Sequence, residues 1–214
     1  MALETGIILA IKYYEDGDVD SALERACLAI ESTARNMYGK EKVGRTEYKE
    51  CIRNYYWIIE PMMGGGFDPS ATTFENLKII DDRGRLIPNP DLADVIYYIF
   101  RCNFAHDKSV PPNYKLLPVT DGLSEWRMGE DILMMPERII WALLAVSVFA
   151  KANSNIRTNT DHWLSWGSET LGLGIHKFII KNSWGKEDDF KAFLLEKNPN
   201  PIVRIKIEGL KNLK

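Results

Sequence analysis

Apolar residues recur at helical spacing over most of the first 154 positions, and the breaks between the runs fall at glycine and proline. Behind the cap residues Asp18 and Ser21, the positions Ala22, Leu23, Ala26, Cys27, Ile30, Ala34 and Met37 mark one face of an amphipathic helix that stops at Gly39. A shorter apolar run over 7–14 predicts a helix before it, with Gly17 between the two. In 46–60, Tyr48, Cys51, Ile52, Tyr55, Tyr56 and Ile59 repeat on one side, and Pro61 with Gly64-Gly65-Gly66 predicts the end of that helix. Residues 77–87 read as a small hairpin turning at Gly84. Asp91 then opens a third long helix, whose stripe runs through Leu92, Val95, Ile96, Ile99 and Cys102 or Asn103 and predicts a buried His106.

Beyond Pro111-Pro112 the pattern turns strand-like. Residues 114–119 and 126–134 predict two strands around an Asp121-Gly122 turn, and Pro136 opens a helix over 137–152 whose continuous apolarity places it at the centre of the core. The polar stretch 153–161 reads as a linker. After it come a strand over 175–180, a helix over 186–196 with Phe190, Phe193 and Leu194 inward, and an alternating strand over 201–208. The expected organisation is a helical domain over 1–154 and an α+β extension over 155–214.

Composition narrows the class. With 214 residues and 45% hydrophobic content, the chain can bury one sizeable core. Its net charge of −3 excludes a histone-like nucleic-acid binder and leaves room only for a local basic cleft. Three cysteines, Cys27, Cys51 and Cys102, fit neither a disulfide framework nor a metal site, and point to a reducing cytoplasm. Residues 1–14 carry no cationic leader or cleavage site, and the apolar run 139–150 is too short for a bilayer, so neither a secretory signal nor membrane association is expected. His162 and His176 lack neighbours at ligand spacing, so no metal and no cofactor is expected. Trp163, Trp166 and Trp184 read as packing residues. The triple glycine is not followed by Gly-Lys-Ser/Thr, which excludes a phosphate loop, and no nucleophile elbow or dinucleotide fingerprint occurs.

The candidate chemistry lies in Arg101-Cys102-Asn103-Phe104-Ala105-His106. An arginine can brace charge on a phosphoryl group, and a histidine can move a proton near neutral pH. Arg157 and His162 repeat the spacing in a polar stretch with no helical stripe to hold them. In an ideal helix Arg101 lies about 140° round from His106, so a distorted last turn is needed to bring them together. A purely structural reading stands beside this one, with His106 a satisfied core histidine and Arg101 paired to Asp94 or Asp107.

This order of long helices, hairpin, Arg-x4-His element, strand pair and apolar helix resembles the HEPN superfamily (higher eukaryotes and prokaryotes nucleotide-binding domain) over residues 4–154. The resemblance implies a mainly α fold, a HEPN-like helical bundle with small β-hairpin insertions and the α+β extension behind it. It carries Arg101 and His106 over as catalytic residues. Many active members place a polar residue directly after the arginine; here Cys102 holds that place and Asn103, next to it, is the candidate for the polar role. The implied activity is metal-independent endoribonuclease, of toxin or defence type, acting as a homodimer on RNA and giving 2′,3′-cyclic phosphate ends. An antitoxin or a nucleotidyltransferase is the implied protein partner. Other members of similar pattern are non-catalytic nucleotide-binding or protein-interaction modules.

Overall fold

A computed structural model describes residues 2–64, 68–106, 109–119, 124–168, 172 and 174–197. The expected Asp121-Gly122 turn, the strand over 201–208, Asp107 and the last two glycines of the triple lie outside the described residues. The protein is mainly α with small sheets.

Helix α1 (Leu3–Glu15) turns through Gly17, at φ +81°, into α2 (Val19–Tyr38), and the two pack along their length. The Asp18 carboxylate caps α2 by accepting from the Ser21 N–H, and Gly39 in the left-handed region ends it. The next helical run is two pieces, not one. It breaks at Tyr55 (φ −112°, ψ 18°) into α3 (Arg45–Asn54) and α4 (Tyr56–Met62). Pro61 sits in the last turn of α4, which ends one residue later at Met62, ahead of Gly64. The hairpin over 77–87 is reduced to a single bridge between Ile80 and Leu86, and Gly84 takes the expected positive φ.

The third long helix is also a composite. Its parts are α5 (Leu92–Val95), one wide π turn (Ile96–Arg101) in which the Cys102 N–H reaches back to the Tyr97 carbonyl, and α6 (Cys102–Ala105). Asp91 begins it as predicted, in a reciprocal capping box with Asp94. Charge pins this start to α3. Arg53 straddles Asp91 at 2.7 and 3.2 Å and reaches Asp94 at 3.3 Å, and Lys49 holds Asp94 at 2.7 Å. Burial raises the Asp91 pKa, but the Arg53 hydrogen bond and the Asp94 N–H outweigh it, so the carboxyl titrates below its ordinary range.

The strand pairing differs from the expected hairpin. Strand β1 (Tyr114–Leu117) runs parallel to β3 (Ile132–Pro136), and β2 (Arg127–Gly129) pairs antiparallel to β3 through a tight turn at Glu130 and Asp131, giving the order β1-β3-β2. Asp131 takes φ +53° there. It also accepts hydrogen bonds from the Tyr114 hydroxyl and the Lys78 N–H, which lock the turn onto its surroundings.

Helix α7 (Arg138–Phe149) is buried at ten of its twelve positions and packs against α2 and α4. Asn153, expected in a linker, is fully buried instead. Its amide nitrogen donates to Thr33 Oγ1 (3.0 Å) and the Ser147 carbonyl (2.7 Å), and its oxygen accepts from Asn36 Nδ2 (2.7 Å), which ties the end of α7 to α2. The chain then forms the antiparallel ribbon β4 (Trp163–Ser168) and β5 (Gly174–Ile179), followed by α8 (Glu187–Lys197). Leu164, Trp166, Ile180, Trp184 and Phe190 belong to the same buried cluster as residues of α1 to α5 and α7. Phe190 stacks on Phe149 at 4.0 Å between ring centroids. At Gly185, with φ +69°, a Cβ would lie 2.4 Å from the Ser154 Cα, so only glycine permits this closure onto the end of α7. Glu187 completes the junction by accepting from the Tyr55 hydroxyl and the Lys151 N–H.

Because Phe190 stacks on a residue of α7, Phe190→Ala is expected to lower the stability of the whole protein by about 3–5 kcal/mol in one cooperative denaturation transition. A separate, unshifted transition for the helical part would contradict the shared core. Asp91 supplies a pH signature. A carboxylate whose folded pKa lies below its unfolded value of about 3.9 contributes stability that is present above that value and lost as pH falls through the folded pKa. Asp91→Asn is therefore expected to flatten the acid limb of a melting-temperature profile below about pH 4, measured by calorimetry.

Candidate functional site

Arg101 closes the π turn, and the structure turns its fork toward α2. Its Nη2 donates to Glu31 Oε2 at 2.9 Å, and its guanidinium carbon stands 5.6 Å from the Tyr97 ring centre. The pair is neither exposed nor sealed, with 24% and 23% of the two side chains accessible. Burial disfavours the Arg101 cation, but Glu31 more than compensates and raises its pKa. Arg101 Nε is buried with no hydrogen-bond partner, so the fork keeps donor capacity that Glu31 does not use. The expected structural partner, Asp94, belongs to Arg53 and Lys49 instead.

His106 ends α6 outside helical geometry (φ −114°, ψ 17°), with its N–H on the Asn103 carbonyl. Its side chain is exposed, which corrects the expectation of a buried histidine: the chain leaves the helix before His106 can continue the stripe. The distortion lies in the wide turn ahead of Arg101, not in a tightened turn between the two residues. Among the described residues no hydrogen bond or ion pair joins Arg101 to His106. Asn103 sends its amide to the Ile99 carbonyl at 2.6 Å, within its own helix. Burial pushes the Cys102 thiol pKa up against the opposing pull of Arg101.

Glu31 was not a sequence candidate. It also lines a recess of about 210 Å³ together with Arg25 and Arg35. The element thus sits beside a local concentration of arginine on a chain of net negative charge. Only the arginine-rich spacing of Arg25 and Arg35 around Glu31 on the second helix could have signalled it.

The C-terminal aromatics divide by face. Trp166 is buried against Phe193 and His176, whereas Trp163 is 47% exposed and carries Lys177 over its ring at 4.2 Å. Among the described residues no group of three or more His, Cys, Asp or Glu side chains could hold a metal, and no helix is long and apolar enough to cross a membrane.

Comparison with known proteins adds family membership. The family model described as Rv1289 matches residues 3–210. The uncharacterized proteins Rv1289 of Mycobacterium tuberculosis and Mb1320 of Mycobacterium bovis are each 31% identical over 178 residues, 82% of this chain and 79% of theirs. No solved structure matches the chain. A match over nearly the whole length, spanning the helical core, the ribbon and α8 together, makes the chain a member of the Rv1289 family.

Proposed function

We propose that the chain is a HEPN-like, metal-independent endoribonuclease of toxin or defence type, with Arg101 and His106 as its catalytic residues and a second copy completing the centre. The observation that carries this reading is a steadied, half-buried arginine and an exposed histidine on the same short helical segment, behind a π turn of the kind that often accompanies functional sites. Glu31 orients one edge of the guanidinium while other donors remain for a phosphate. Arg25 and Arg35 supply nearby positive charge for an RNA backbone.

One His106 side chain suffices for only half of the proton transfers. In a dimer, one imidazole takes the ribose 2′-hydroxyl proton as the 2′-oxygen bonds to phosphorus. The other, as imidazolium, gives its proton to the departing 5′-oxygen as the phosphorus–oxygen bond breaks. Arg101 neutralises the charge on the pentacoordinate phosphorus. The products are a 2′,3′-cyclic phosphate and a 5′-hydroxyl. The antitoxin or nucleotidyltransferase partner belongs to this reading.

A second reading is a non-catalytic nucleotide-binding or protein-interaction module. It is favoured by the Arg101–Glu31 ion pair and by the commitment of Asn103 to the Ile99 carbonyl, which together satisfy the motif internally.

Labelled mixed-sequence RNA in excess chelator separates the two. On the first reading the wild type cleaves, and His106→Ala loses about 10²–10⁴ of the rate, the usual worth of a general acid–base. Its melting temperature stays unchanged because the side chain is exposed. Equal cleavage by the variant overturns that reading. On the second reading neither protein cleaves, and Arg101→Ala costs about 1 kcal/mol of stability through the lost ion pair.

A further inference from the structure

The recess beside Glu31 is built by two helices. Helix α1 enters it with Ala2, Leu3 and Gly6, and α2 lines it with Arg25, Ala29, Ser32 and Arg35, which fall on one stripe at helical spacing. Whole small molecules usually occupy sites of about 300 Å³ or more. At about 210 Å³ the recess is smaller than that, yet it has room for a compact head group. It adjoins a shallower dish of about 530 Å³. Ala2, Leu3, Ser32 and Arg35 line both spaces, and Asn36, Lys40 and Ile156 extend the second.

Arg35 is the residue that sets this recess apart. Arg45, Arg53, Arg85, Arg101 and Arg127 each hold a carboxylate. Among the described residues no carboxylate forms an ion pair with the partly buried Arg35, whose one hydrogen bond runs from Nη2 to the neutral Ser32 Oγ at 2.9 Å. Its Nε is buried without a partner. Because Ser32 Oγ accepts from Arg35, its own proton is available to a ligand. Arg25 adds a second guanidinium to the lining. Ala2 gives α1 no side-chain cap, so the N–H groups of that first turn bring further donors to the same end. Glu31 is the one carboxylate among the lining residues, and Arg101 matches its charge. The dish has a different balance, because Glu4 and Glu41 stand there beside Lys40, which is already paired with Glu47. Attraction for an anion is therefore concentrated in the recess.

We infer that the recess binds the phosphate head of a small phosphomonoester, held by Arg35, Ser32 and Arg25, with the body of the ligand lying on the dish. A guanidinium that lacks a carboxylate and is partly withdrawn from water gains charge-assisted hydrogen bonds from an oxyanion. The donors stand on two different helices and approach from more than one side. A phosphate presents three terminal oxygens in a tetrahedral array and can meet them together, whereas a carboxylate offers two oxygens in one plane. A single charged head also suits the contrast between the recess and the dish. The inference stands whether or not the Arg101 element cleaves RNA.

The full-length protein is titrated by calorimetry with adenosine 5′-monophosphate, inorganic phosphate and uncharged adenosine. The monophosphate is expected to bind 1:1, to compete with inorganic phosphate, and to bind at least about tenfold more tightly than adenosine, the return of one charge-assisted hydrogen bond. Arg35→Gln is expected to abolish that preference. Arg35→Lys is expected to keep part of it, since lysine retains the charge and loses the fork. Ser32→Ala is expected to weaken the monophosphate about fivefold, the worth of one ordinary hydrogen bond. Arg127→Gln changes an exposed arginine outside the recess and controls for bulk charge; it is expected to bind as the wild type does. Equal affinity for monophosphate and adenosine, absence of binding by both phosphates at millimolar concentration, wild-type affinity in Arg35→Gln, or an equal loss in Arg127→Gln overturns the inference. His106→Ala is expected to bind the monophosphate normally, so failure of the recess and failure of cleavage are read apart.

Discussion

The burial of α7 on every side is the constraint on which the rest of the architecture depends. A helix that is apolar all round cannot sit at a surface, so other elements must cover each of its faces. Helices α2 and α4 cover two, and the aromatic cluster built from Phe149, Phe178, Phe190 and Phe193 covers its end. Two buried polar side chains at the end of α7 are paired. Ser147 Oγ returns to the Leu143 carbonyl, and Asn153 gathers Thr33, Asn36 and the Ser147 carbonyl at the point where α7 stops. Removing the ribbon and α8 would expose Phe149, so both elements are part of this core in a physical sense and not an appendage to it.

Geometry at the Arg101 element follows from the same packing. Continuous α-helix from Leu92 would carry its apolar stripe to His106; one π turn resets the phase of the stripe halfway along. After the reset, Ile99 and Phe100 stay buried, Arg101 faces Glu31 and Tyr97, and His106 emerges into solvent. The start of the composite helix is clamped to α3 by Arg53 and Lys49, and Arg101 is clamped to α2 by Glu31. A wide turn held between two such anchors has little freedom to relax to α geometry, and that is how a locally unfavourable conformation persists in a folded protein.

Sequence periodicity revealed the helices that bury one face, along with the Asp18 and Asp91 caps and the Gly84 turn, because each rests on residues close in the chain. It missed what depends on distant neighbours. The parallel pairing of β1 with β3 is set by Tyr114, Asn113 and Asp131 meeting across the turn, and no local pattern distinguishes it from a hairpin. The break at Tyr55 and the π turn are likewise tertiary. At the candidate site, Arg101, Asn103 and His106 could be named from spacing, but the partner Glu31 lies seventy positions away. Asn153 was misread for the opposite reason: a polar stretch looks like a linker, and only its surroundings show that its amide fills hydrogen-bonding positions in the core.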